Sequence, residues 1–229
     1  MSIEYYDVLI AASDPHPIPF QPAPGRGQYD RRQPREARLV EQRARLLSAT
    51  ALAIARAPEG SEVTIGSVVG LAGVSRNTFY EYFDDLAHAR VAAEQRAEHR
   101  LLARLRAAEE QTRTPVERWR ALSQAWMSWV AGSPAEALLC LERVRAGLSS
   151  AGLALEAACS RSLDTLRSSG IRAQDPDGAR VTAVAAAGEV LARRFVADWS
   201  RLAPGPARLD GERERMERAL ADVAVRLLR

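Results

Sequence analysis

Residues 64–83 constrain the fold more than any other part of the chain: they read Thr-Ile-Gly-Ser-Val-Val-Gly-Leu-Ala-Gly-Val-Ser-Arg-Asn-Thr-Phe-Tyr-Glu-Tyr-Phe. Thr64 suits the N-cap of a short helix through Ala72, Gly73 breaks that helix, and Ser75 suits the N-cap of a second one through about Tyr82. Helices this short do not persist alone in water, so they must bury a face against a partner. Ile65, Val68, Val69, Ala72, Val74, Phe79 and Phe83 supply the face. The partner is an upstream helix from Glu36 to Ala57, in which Leu39, Ala44, Leu47, Ala51, Leu52 and Ile54 recur at helical spacing before Pro58 and Gly60 stop it. The expectation is a three-helix unit over residues 31–84 built around a helix-turn-helix.

Such a motif places the N-terminal end of its second helix in the DNA major groove. Ser75, Arg76, Asn77 and Thr78 stand at that end. Arginine can bond guanine O6 and N7 together, and asparagine can do the same for adenine N6 and N7. The hydroxyls of Tyr80 and Tyr82 are spaced to reach flanking phosphates, and free amides at a helix start favour an anion.

The register of these residues resembles the DNA-binding domain of TetR-family regulators, whose pattern is approximately T-I-x-x-(I/V)-A-x-x-A-G-V-S-x-x-T-F-Y-x-(H/Y)-F, and the resemblance covers Arg38 to about Val91. It implies a homodimer that binds a palindromic operator and lets go when a small molecule enters the C-terminal domain. It also implies DNA contacts for Thr64, Ser75, Thr78, Tyr80 and Tyr82, and core positions for Phe79 and Phe83. Two positions depart from the pattern. Val69 stands where a small alanine is usual, which shifts the spacing of the two short helices. Leu86, preceded by Asp84 and Asp85, stands where a phosphate-holding lysine often begins the fourth helix, weakening the salt-dependent part of binding.

A basic arm can compensate. Net charge is only +3 and all 32 basic residues are arginine, so charge must be read locally. Residues 1–30 are rich in proline and read as a flexible leader. From Arg26 to Arg45, arginines outnumber acids on the way into the first helix. Arms of this kind enter the minor groove in the resembled family, which makes Arg31, Arg32 and Arg35 candidates; a solvated face is the alternative.

The rest of the chain reads as helix throughout. A long helix over 85–108, capped by Asp84 or Asp85, connects the first unit to a second domain over 85–229 with helices at about 115–131, 134–149, 152–169, 177–202 and 210–228. No alternating β pattern occurs, so no sheet is expected and the fold class is all-α: a helix-turn-helix domain plus a helical ligand-sensing and dimerisation domain. Trp119, Trp126 and Trp129 share a helix face, which either lines an effector pocket with Cys140 and Arg145 or packs as core. In the resembled family the last two helices pair with their copy. That makes Val184, Gly188, Leu191, Phe195, Leu220, Val223 and Leu227 candidates for a two-fold interface, with packing inside the protomer as the alternative.

The chemistry of an enzyme is not visible. His16, His88 and His99 are scattered, and Cys140 and Cys159 show no metal-ligand spacing, so no catalytic residue, metal or cofactor is expected. No stretch approaches the roughly 20 apolar residues of a membrane helix, and the cysteine usage fits a reducing cytoplasm. The expected partners are operator DNA, a second copy of the chain and a small-molecule effector. A DNA-binding protein without effector and an all-α enzyme remain the other readings.

Overall fold

The computed structural model describes residues 35–58, 61–112, 114–142, 144–145, 147–168, 170, 178–202 and 206–228. The proline-rich leader, Arg31 and Arg32 lie outside the described residues. Two compact units divide inside one helix, between Ala97 and Glu98.

The first unit holds α1 (Arg35–Arg56), α2 (Ile65–Ala72), α3 (Arg76–Tyr80) and the first half of α4 (Leu86–Glu110). Each short helix starts where a side-chain oxygen can accept from an amide that has no intrahelical partner. Thr64 accepts from the Ser67 amide in a reciprocal capping box, Ser75 accepts from the Thr78 amide, and Asp85 accepts from the His88 amide at 2.7 Å. α2 ends at Gly73, whose φ of 65° is left-handed, and the Gly73 amide returns to the Val69 carbonyl. A Cβ at that φ is strained, which is why glycine makes the turn between the two short helices. Leu46, Leu47, Ala49, Val68, Phe79 and Phe83 form the core of this unit.

Hydrogen bonds from long side chains fix how these helices meet. Arg45 of α1 donates to the Ala72 carbonyl at 2.6 Å, so a cation holds the C-terminal end of α2 where the helix dipole favours it. Arg96, buried on α4, donates to the Ala44 carbonyl at 2.8 Å and to the Ser48 hydroxyl at 2.7 Å. These bonds explain why the first half of α4 belongs with α1.

The second unit continues with α5 (Pro115–Gly132), α6 (Pro134–Glu142), β1 (Val144–Arg145), β2 (Leu148–Ser149), α7 (Ser150–Ser168), α8 (Ala179–Leu202) and α9 (Pro206–Leu228). α5 opens on a Thr114–Glu117 capping box with Pro115 in its first turn, and it packs on α6, α7, α8 and α9. The helix expected over 134–149 is corrected: it stops at Glu142, and a two-residue antiparallel hairpin pairs Val144 with Ser149 and Arg145 with Leu148. Gly147, at φ 85°, turns that hairpin, a local signal that the apolar periodicity masked. α9 also begins earlier than expected, at Pro206, a residue suited to a first helical turn. No helix among the described residues is long and apolar enough to cross a membrane.

Candidate functional site

The buried and exposed faces of α2 and α3 separate cleanly. Val68, Val69, Ala72 and Phe79 are buried, whereas Thr64, Ser75, Arg76 and Asn77 are exposed, Thr78 is half-buried and Tyr80 is 56% exposed. The Phe79 ring meets Tyr80 edge-on at 5.7 Å and Phe83 at 5.5 Å, and the Arg43 guanidinium stands over Phe83 at 5.5 Å. An arginine beneath an aromatic core is a favourable stack. It also fixes the floor on which α3 rests.

Capping and display share the same side chains. Ser75 and Thr78 hydroxyls lie 2.9 Å apart while Ser75 caps α3, and Thr64 caps α2, so these hydroxyls set the helix starts and remain at the surface beside them. Tyr82 differs from Tyr80. Its half-buried hydroxyl donates toward the Leu39 carbonyl and the Gln42 side-chain oxygen, both at 3.2 Å, tying the segment after α3 to α1. Tyr82→Phe should therefore lower the stability of the first unit by about 1 kcal/mol, the net worth of a hydrogen bond, while Tyr80→Phe leaves it unchanged. Paired thermal melts of the two variants check this. The side chain of Arg35 is outside the described residues.

Similarity to solved structures bears on this geometry. The chain matches a fatty acid degradation regulator FadR from Bacillus halodurans at TM-score 0.56 and 14% identity, covering 78% of this chain and 97% of that one. A TetR-family transcriptional regulator from Pectobacterium atrosepticum matches at TM-score 0.56 and 19% identity, covering 86% and 98%. A third, the transcriptional regulator FadR from Bacillus subtilis in complex with stearoyl-CoA, matches at TM-score 0.55 and 15% identity, covering 81% and 99%. The chain has the TetR-regulator fold. No protein-family model and no curated protein sequence matches it.

In the second unit of this fold, the tryptophan face of α5 is core. Trp119, Trp126, Trp129 and Cys140 are all buried, and the Trp126 and Trp129 rings lie 5.7 Å apart. Trp126 donates its indole N–H to the Gly188 carbonyl at 3.0 Å. The Trp119 and Trp129 indole nitrogens are buried without an acceptor among the described residues. Arg145 is in the hairpin, not on a helix with Cys140.

The seven interface candidates divide. Val184, Gly188, Phe195 and Leu220 are buried in the protomer, and a Cβ at Gly188 would stand 2.7 Å from Leu155 Cδ2, so this glycine serves close packing of α8 within the unit. Leu191, Val223 and Leu227 are half-buried. Leu191 lines a groove between α8 and α9 of about 360 Å³ with Arg194, Glu212, Arg215, Met216 and Ala219. Val190, 64% exposed on α8, was not singled out in the sequence, where only the inward stripe was legible.

Cys159 is fully buried and its thiol is pushed up to about 12, by desolvation first and then by Glu109 and Glu156, with Arg161 opposing. The folded state therefore favours the neutral thiol. Between the ordinary thiol range and pH 12 the unfolded chain ionises and the folded chain does not, so stability falls as pH rises through that window. Native protein at pH 8 should leave Cys159 unmodified by a thiol reagent and release it on unfolding. The alkaline loss should shrink in Cys159→Ala, which a pH series of chemical melts measures.

Proposed function

We propose that this protein is a sequence-specific DNA-binding transcription regulator, a homodimer that binds a palindromic operator and is released by a small molecule. The observation that carries the reading is the exposed cluster Thr64, Ser75, Arg76, Asn77 and Tyr80, set on two capped short helices whose opposite faces are buried. That arrangement offers hydroxyls and a guanidinium for phosphates and a carboxamide for a base edge. In a two-fold dimer the recognition helices would stand about 34–36 Å apart, one DNA turn. The half-buried Leu191, Val223 and Leu227 and the exposed Val190 supply apolar surface on α8 and α9 for a second copy.

The Bacillus subtilis FadR structure contains stearoyl-CoA, and this chain shares its fold. A helical second unit whose central helix carries two buried indole donors without acceptors among the described residues fits an effector that brings apolar surface and a hydrogen-bond acceptor. Coupling of about 1–3 kcal/mol between effector and operator would change occupancy 5–150-fold. Repression and a cytoplasmic location belong to the same reading.

Selection of bound sequences from a random duplex pool at two salt concentrations tests it. Enrichment of a palindrome with a steep salt slope is the expected result. Asn77→Ala should relax preference at one base position, at a cost of about 1–3 kcal/mol, and Tyr80→Phe should weaken all sequences evenly. A folded protein that enriches no sequence would sink the proposal.

A further inference from the structure

A buried hydroxyl on a helix is normally satisfied by the carbonyl one turn back, as Thr50 is by Leu46 and Ser123 by Trp119, both at 2.8 Å. Ser162 of α7 departs from this. It is 1% exposed, and its hydroxyl has no hydrogen-bond partner among the described residues. The indole N–H of Trp119, fully buried on α5, is in the same situation.

Packing brings these two groups to one level of the second unit. α5 and α7 run in opposite directions: Glu109, at the end of the helix that leads into α5, accepts from Arg161 in the second half of α7 at 2.8 Å, while Ser150 at the start of α7 donates to the Cys140 carbonyl beyond the end of α5. Trp126 and Leu155 converge on Gly188 of α8, where a Cβ would stand 3.5 Å from the Trp126 indole nitrogen and 2.7 Å from Leu155 Cδ2. Trp119 is about two turns back along α5 from Trp126, and Ser162 is about two turns on along α7 from Leu155. Two turns restore the same helix face, so Trp119 and Ser162 stand on the faces that Trp126 and Leu155 present to Gly188.

One carbonyl oxygen, with its two lone pairs, can accept from both donors. Negative charge is disfavoured at this level. Cys159, one turn before Ser162, is kept as the neutral thiol by burial and by Glu109 and Glu156, and Arg161, which opposes them, is already paired with Glu109. A carboxylate placed here would meet the same desolvation and the same two acids. Arg118, next to Trp119 in the chain, turns its Nη2 to the Thr112 carbonyl at 3.0 Å.

We infer that Trp119 and Ser162 together hold the oxygen of an uncharged carbonyl compound, so that the effector is an apolar ketone, ester or lactone and not a carboxylate. This rests on the effector-sensing reading above and names its chemistry.

The test titrates the full chain, labelled at its tryptophan indoles, with methyl ketones of increasing chain length, with the carboxylates of the same lengths, and with the alkenes in which a methylene group replaces the ketone oxygen. A ketone should bind saturably, move the Trp119 indole proton downfield and release the duplex enriched by selection. The matching carboxylate should bind more than about tenfold more weakly. Ser162→Ala should weaken that ketone roughly tenfold, leave the alkene unchanged and hold the melting temperature, because its hydroxyl loses no bond within the fold. Ser123→Ala, which does lose one, should lower the melting temperature and leave the preference for ketone over alkene intact. Trp119→Phe should remove the shifted resonance and narrow that preference by a similar factor. Carboxylates that bind as tightly as ketones, a bound ketone that leaves the Trp119 proton unmoved, or a series in which nothing binds would overturn the inference while the operator-binding reading stands on its own selection. A folded chain that binds ketones through Trp119 and selects no operator overturns the proposed function and leaves the carbonyl site standing.

Discussion

Glu189→Ala is expected to lower the melting temperature of the protein by about 10 °C, from a stability loss of about 3 kcal/mol. The carboxylate is only 7% exposed, on a helix in the middle of the second unit. One oxygen accepts from the Ser149 amide at 2.8 Å and the Ser149 hydroxyl at 3.0 Å; the other accepts from Arg193 at 2.6 and 3.0 Å. Arg193 also donates to the Leu141 carbonyl at the end of α6, and Ser149 accepts from the Gly152 amide at the start of α7. One acid therefore joins α6, the hairpin and α7 to α8. Removing it strands a buried amide and hydroxyl and a half-exposed guanidinium. Gly152→Ala should act in the same direction despite alanine's better helix propensity, because its Cβ would collide with Glu189 Oε2, which Ser149 and Arg193 hold in place. Thermal melts of both variants, with Asp222→Ala as an exposed acidic control, check the assignment.

Phe79→Ala should cost about 3–5 kcal/mol and remove the DNA binding proposed above. Its ring is fully buried between Tyr80, Phe83 and the core of the first unit. Domain stabilities total only about 5–15 kcal/mol, so a loss of this size leaves α2 and α3 without the surface that holds them folded. Amide exchange should show protection lost across residues 64–83 and retained across α5 and α9. Asn77→Ala, exposed on the same short helix, should leave exchange untouched. Equal protection losses in both variants would mean that α3 does not depend on its buried ring.

The helix-turn-helix was legible because its determinants are local. Thr64, Gly73 and Ser75 set helix ends through their own backbone and the amides two or three residues away, and the structure has those caps. Phe79 and Phe83 announced burial by spacing alone, and both are buried. The all-α class followed in the same way from helical periodicity interrupted by prolines and glycines, and the TetR-regulator fold bears it out. The hairpin at 144–149 escaped because it is short and its pairing competes with an apolar helical pattern that runs past Glu142.

Sequence by itself determined where helices start and stop, which faces are apolar, and which polar residues stand at the head of α3. All of these depend on contacts within a few positions along the chain. Tertiary structure alone decided what side chains separated by tens of residues do: that Tyr82 reaches the Leu39 carbonyl, that Glu189 leaves water for Ser149, and that Gly188 is spent inside the protomer. A charged residue on a helix is solvated by default, and only a neighbouring element bringing a donor to hydrogen-bond distance makes its burial favourable. That encounter is a property of how helices pack, which no local pattern encodes.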